Sequence, residues 1–302
     1  MDVLRVHQVS KRYNNYTALN KVSLNIPKGS IFGLLGPNGA GKTSLIRIIN
    51  QITAPDSGEV FIDDKPLMPH HVHQIGYLPE ERGLYPKMKA GEQLIYLARL
   101  KGLSKQEATT RAKDWFARFE MESWWNKNIE ELSKGMAQKV QFVSTVIHEP
   151  RLLIFDEPFT GFDPVNTNLI KSEIRKLRDN GATVIFSTHR MESVEEICDR
   201  IALINRSEKI LEGPLQSIQQ EYKSNKYSVE LISAIEDKPS LPSGASLLEA
   251  EKKGSTWSLQ IQLGKDRPND LLQHLMPQGT ILLFKEIIPS LNTIFIQKVS
   301  SL

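Results

Sequence analysis

The chain has 302 residues, a formal net charge of +3 and a single cysteine, Cys198. That length exceeds the usual size of one domain and predicts a large domain with an appendage. The lone thiol excludes an internal disulfide, fits a reducing compartment and reads as a packed side chain. The positive charge is spread without a basic stripe or a base-stacking motif, so no nucleic acid is expected. No run is long enough to cross a bilayer and Met1-Asp2-Val3-Leu4-Arg5 lacks a signal-peptide profile, which predicts an intracellular protein.

In chain order, residues 1 to about 86 read as β-rich around one helix. Ile31 to Leu35 form an apolar strand that runs into Gly36, Pro37, Asn38, Gly39, Ala40, Gly41, Lys42 and Thr43, with Ser44 next. Glycines there let backbone N–H groups turn toward an anion, and the helix opening at Gly41 presents its positive end. Lys42 would reach the β- and γ-phosphates and Thr43 would hold Mg²⁺. Ala90 to about Trp125 reads as helical, with Leu94, Leu97, Ala98 and Leu100 in one pattern and Ala112, Trp115, Phe116 and Phe119 in a second. Another helix is expected from Ala137 to Ile147. Leu152 to Phe155 then reads as a buried parallel strand ending in Asp156 and Glu157. Asp156 would meet the metal and Glu157 would polarise the attacking water. Joined to the phosphate loop, this acidic strand end predicts a nucleoside triphosphatase with ATP and Mg²⁺ as ligands.

Leu132-Ser133-Lys134-Gly135-Met136 lies about twenty residues before that strand. It resembles the signature of ATP-binding cassette (ABC) proteins, most often Leu-Ser-Gly-Gly-Gln, with Ser133 and Gly135 matching and Lys134 and Met136 departing. A hydroxyl and a small residue at a helix N-terminus suit contact with a γ-phosphate. The other elements of the resemblance follow in order. Gly161-Phe162-Asp163-Pro164 is similar to the family's D-loop, Thr183 to Ser187 is a strand delivering a switch histidine, His189, and Tyr13 stands where an aromatic stacks on adenine, with Tyr16 as competitor. In Ile75-Gly76-Tyr77-Leu78-Pro79-Glu80 the family usually has glutamine at the last position. Glu80 keeps a metal-binding oxygen but adds negative charge beside a triphosphate, or else is a solvated acid of the run Glu80-Glu81-Arg82.

The resemblance covers residues 1 to about 215 and implies an α/β P-loop cassette: a parallel sheet core, an antiparallel β subdomain and a helical subdomain at about 87–149. It also implies two such cassettes, identical or closely related, closing head to tail on ATP, with each nucleotide between the phosphate loop of one and Ser133 and Gly135 of the other, and with the D-loop that carries Asp163 crossing the interface. The partner would be a transmembrane permease docked beside Tyr77 to Tyr85, holding the chain at the inner face of the cell membrane. The run Tyr77 to Pro86 is similar to bacterial exporter ATPases, including those linked to sodium extrusion. The competing class is a soluble cassette acting in translation or chromosome maintenance. Such proteins usually carry two cassettes or a long coiled-coil insert, unlike the single cassette and compact insert here.

Arg200 to Ile210 reads as a hairpin closing the cassette near Gly213-Pro214, and 216–226 as helix and linker. A small α+β domain is expected at 227–302. In it Tyr227 to Ile232 and Ser255 to Leu263 are strands, the latter with Trp257, Leu259, Ile261 and Leu263 on one face, while Asn269 to Met276 and Ser290 to Val299 are helices. His70, His71 and His73 read as a surface loop without a completed metal pattern. Trp124 and Trp125 read as packing within the helical insert or at a partner surface, and Glu192, Glu195 and Glu196 as a solvated helix face.

Overall fold

The computed structural model describes residues 1–81, 83–233, 236–264 and 267–300, and the chain divides into two compact units, Met1–Leu215 and Gln216–Leu302. In the first, β1 (Asp2–Tyr13) and β2 (Tyr16–Pro27) pair as a long antiparallel hairpin before β3 (Ile31–Leu35) and α1 (Lys42–Ile49). β4 (Ser57–Ile62) and β5 (Lys65–Pro66) then complete an antiparallel sheet of order β2-β1-β4-β5. Its apolar face, with Leu4, Val6, Val9, Leu24 and Ile26, is buried against the same core that receives Leu45, Ile46 and Ile49 of α1.

β6 (Ile75–Leu78) enters the second sheet, and the chain then leaves it for three helices: α2 (Ala90–Leu100), α3 (Lys105–Arg118) and α4 (Lys134–Val146). A capping box starts α3, with Glu107 N donating to Ser104 Oγ and Ser104 N donating to the Glu107 carboxylate. Trp115, Phe119 and Phe142 form an aromatic cluster, and Trp125 packs on Phe116. A side chain at Gly91 would lie 2.5 Å from the Trp125 ring, so Gly91 is where α2 approaches that indole. Of the two readings of the tryptophan pair, Trp125 takes the packing one.

The chain returns through β7 (Leu152–Asp156), α5 (Pro164–Asp179), β8 (Thr183–Thr188), α6 (Met191–Ile197), β9 (Arg200–Asn205) and β10 (Glu208–Pro214). The second sheet has the order β10-β9-β3-β8-β7-β6, parallel from β9 to β6, with β10 antiparallel at its edge. β3, β7 and β8 are buried along their whole length, which is why they read as continuous apolar runs. His71 departs from the expected surface loop. A short 3-10 turn at Pro69–Gln74 leaves it 4% exposed, with Nδ1 accepting from Met68 N at 2.9 Å.

α7 (Leu215–Glu221) straddles the division between units. The second unit contains β11 (Lys226–Ile232), β12 (Ala245–Lys253), β13 (Thr256–Leu263), α8 (Pro268–Leu275), β14 (Thr280–Glu286) and α9 (Leu291–Ser300). The strands make an antiparallel sheet of order β12-β13-β11-β14. One face is apolar: Tyr227, Val229, Trp257, Leu259, Ile261 and Leu263 pack with Leu271 and Leu275 of α8. β12 and β14 add two strands to the sequence expectation of two.

At the C-terminal end of α4, His148 is held neutral. Burial first, and then the ammonium of Lys101, push its pKa down to about 4, while Lys101 Nζ donates to the carbonyls of Val72 and Ile75. An unfolded chain takes up that proton near pH 6.5 and the folded chain only near 4, so this histidine costs stability as pH falls through that window. His148→Gln should flatten the fall in apparent Tm between pH 6.5 and 4 relative to the parent, as followed by thermal melts across pH.

Candidate functional site

Four neighbouring parallel strands end on the same side of the second sheet, where ligands of α/β folds ordinarily bind. β3 leads into the phosphate loop, β8 into His189, β7 into Asp156 and Glu157, and β6 into Pro79 and Glu80. A cavity of ≈250 Å³ at this edge is lined by Tyr16, Asn38, Gly39, Gly41, Lys42, Thr43, Ser44, Glu80, Asp156 and Glu157. The structure therefore brings the loop and the carboxylate strand together across more than a hundred residues of sequence.

Gly41 caps α1 with φ +114, and a Cβ there would sit 2.2 Å from the Ala18 carbonyl. Close approach to β2 leaves no room for a side chain. Lys42 Nζ reaches back across the loop to the carbonyls of Gly36 at 2.7 Å and Pro37 at 3.2 Å. Burial lowers its pKa, opposed by the charges of Glu157, Asp156 and Glu80. Thr43 Oγ1 donates to Asp156 Oδ2 at 3.4 Å. Asp156 is held above the ordinary carboxylate range by burial above all, with the charges of Glu157 and Glu80 adding to it.

Glu157 occupies the left-handed backbone region at φ +51, and its N–H donates to Ser187 O. That turn aims its carboxylate sideways along the strand ends. Oε2 accepts from Thr188 Oγ1 at 3.0 Å, and Oε1 accepts from His189 N at 2.8 Å and meets His189 Nδ1 at 2.6 Å. The base candidate and the histidine thus form one hydrogen-bonded pair, oriented by Thr188, whose part in it no sequence motif signals.

Ser133 is the N-cap of α4, its Oγ accepting from Met136 N at 3.3 Å. Asp163 is the N-cap of α5, accepting from Asn166 N at 2.8 Å, and its hydrogen bonds to Asn166 hold its carboxyl below the usual range. Ser133, Gly135 and Asp163 do not line the phosphate-loop cavity. Tyr13 does not line it either. Its exposed ring lies under Lys11 Nζ, 5.6 Å from the centroid, whereas Tyr16 lines the cavity and donates its hydroxyl to the Gly39 carbonyl. Of the two tyrosines weighed from sequence, Tyr16 is the one the hairpin carries to the phosphate loop.

The donor set suits a hard cation: a hydroxyl and carboxylate oxygens beside a loop built for phosphate, the pattern by which Mg²⁺ is held jointly by protein and substrate. Among the described residues no three His, Cys, Asp or Glu side chains converge on a cation site. Glu80, Asp156 and Glu157 line one cavity without forming a chelating cluster.

Fold and site together define a P-loop nucleotide-binding cassette. The model of the ABC transporter family matches residues 19–160, and that of the DrrA1-3-like ATP-binding protein C-terminal domain matches 213–299. YhaQ, an uncharacterised ABC transporter ATP-binding protein of Bacillus subtilis (strain 168), is 40% identical over 299 residues, 99% of each chain. A Nod factor export ATP-binding protein of Rhizobium etli (strain ATCC 51251) is 36% identical over 219 residues, covering 70% of this chain and 68% of that one. Among solved structures, an ATP-binding cassette captured as a dimer in a post-hydrolysis state with ADP and Pi superimposes with a TM-score of 0.65 at 27% identity, over 70% of this chain and 98% of that one. The chain belongs to the ATP-binding proteins of ABC transporters, ATPases coupled to transport.

Gly41→Ala is expected to weaken nucleotide binding by about 5- to 150-fold, since the new methyl must displace the loop from β2 at a cost of about 1–3 kcal/mol. Gly181→Ala, at φ +97 with nothing within 4 Å, is the control for backbone strain without a clash. Titration with a fluorescent ATP analogue separates the two; equal affinities would remove the close-packing argument.

Proposed function

We propose that this chain hydrolyses ATP as one of two cassettes that close head to tail and power a membrane exporter. The observation that carries the chemistry is the Glu157–His189 pair at the edge of the phosphate-loop cavity. Residues 1–215 form the ATPase cassette, with its helical part at about 87–149, and 227–302 an accessory domain joined through 216–226. Lys42 and the loop N–H groups bind the β- and γ-phosphates; Thr43 and Asp156, with Glu80 nearby, would hold Mg²⁺. The cation, when bound, supplies neutralising charge on the phosphate oxygens. Glu157 orients and deprotonates water for in-line attack, and His189 fixes the position of Glu157 and donates toward the γ-phosphate. Tyr16, which lines the cavity, and Tyr13, its partner across the hairpin end, would meet the base and sugar.

Ser133, Gly135 and Asp163 lie outside the cavity, as expected of residues that complete the site of a second cassette. The dimeric state of the solved relative with ADP and Pi supports this reading, and the name of the Nod factor export relative supports export. No helix among the described residues is long and apolar enough to cross a membrane. A separate permease supplies the path and holds the chain at the cytoplasmic face. Its docking groove is the ≈380 Å³ hollow lined by Ile52, Tyr77, Pro79, Leu84, Leu97 and Leu100. Arg82, within the same stretch, lies outside the described residues.

Glu157→Gln should bind ATP as the parent does, lose hydrolysis by 10²-fold or more, and accumulate as an ATP-bound dimer in size-exclusion chromatography with light scattering. Hydrolysis at the parental rate would remove Glu157 from its role. Tagged chain purified from its native membranes should bring down a multi-spanning protein. Recovery with ribosomes or chromosomal DNA instead would favour the soluble class.

A further inference from the structure

Two residues that set this chain apart from the commoner motifs carry opposite charges on the two surfaces that the head-to-tail arrangement would bring together. Glu80 lines the phosphate-loop cavity with Asp156 and Glu157, so among the described residues lining it three carboxylates face one ammonium, that of Lys42. Lys134 is the first residue of α4, next to Ser133, and the first turn of that helix contains no acidic residue. The ammonium therefore adds to the positive end of the helix dipole.

Lys134 lies beside the loop ahead of Asp163. Gly161 has φ +92, and a Cβ there would come within 2.6 Å of Lys134 Cε, 3.1 Å of Cδ and 3.3 Å of Cγ. The lysine stem lies across a place kept open by glycine. A Cβ at Gly135 would in turn be 3.9 Å from Gly161 O. Ser133, Lys134 and Gly135 thus share one surface with the 161–163 loop, and the lysine stem passes close to Gly161.

We propose that Lys134 acts in trans: in the closed pair its ammonium offsets the carboxylate of Glu80 beside the partner cassette's nucleotide. The excess negative charge of one surface is matched by a cation that the other surface delivers, the complementarity that fixes register between partners. This rests on the head-to-tail reading of the function above. In a symmetric pair the contact occurs twice, so one substitution removes both copies.

The test uses the full-length chain with Glu157→Gln, so that ATP is not consumed, and reads the ATP concentration at half-maximal dimer by light scattering at low and high salt. Monomer ATP binding and thermal melts check that each variant is folded. Lys134→Met should raise the half-maximal concentration by about tenfold and flatten its salt dependence, while Lys134→Arg stays near the parent. Adding Glu80→Gln to Lys134→Met should recover most of the loss, the non-additivity expected of a coupled pair. If Lys134→Met dimerises with the parent's ATP and salt dependence, the trans role is wrong. If Glu80→Gln has the same effect with and without Lys134→Met, the pairing with Glu80 is wrong. Ser133→Arg separates these failures from that of the underlying reading: dimers that survive it overturn head-to-tail closure itself.

Discussion

The edge of one parallel sheet holds more negative charge than an apolar strand end ordinarily tolerates, and the rest of the site follows from how that charge is kept. β7 is buried throughout and delivers two adjacent carboxylates. Asp156 remains against the phosphate loop, its pKa raised by burial and by its neighbours. Glu157 escapes along the strand ends only because its backbone turns into the left-handed region, where Thr188 and His189 receive it. A buried charge without such partners is costly. Lys42, loop and sheet edge together make a surface that is strained and electrostatically loaded, as sites that receive a cation and a polyanion commonly are.

Much of this was legible because the decisive chemistry is local in sequence. The glycine-lysine loop and the acidic strand end are contiguous runs whose residue types have few other uses, and the order in which they occur limited the fold. The contacts that turn those runs into a site were not legible. The Tyr16 hydroxyl on Gly39, Thr188 on Glu157 and the Lys134 stem across Gly161 join segments whose spacing carries no pattern. On placement alone the sequence favours Tyr13 over Tyr16; the two pair across the end of one hairpin, and only the folded chain shows that Tyr16 is the one lining the cavity. His71 was misjudged because a 3-10 turn, which has no strong sequence mark, folds it inward.

The second unit illustrates the same limit in its strands. β11 and β13 alternate cleanly because one face of each meets α8. β12 carries Glu249, Glu251, Lys252 and Lys253, residues with a helical preference, and is recruited as a strand by its pairing with β13. β14 is an edge strand whose Leu282 and Leu283 are both substantially exposed, so its pattern lacks the period of two. Cross-strand partners, absent from any single-segment reading, settle both.

α4 has one further consequence. Its N-terminal end presents Ser133, and two turns later Gln141 Nε2 donates to the carbonyls of Pro79 at 3.4 Å and Glu81 at 3.3 Å, on either side of Glu80. Between Ser133 and Gln141 the helix is a rod of about 12 Å, and a helix transmits displacement with little loss. A displacement of the loop that carries Glu80 would reach the serine at the far end through that rod. In a pair of cassettes, the first end would sit at a subunit's own nucleotide and the second at its neighbour's, so one rigid element would set the phase between two otherwise separate catalytic cycles.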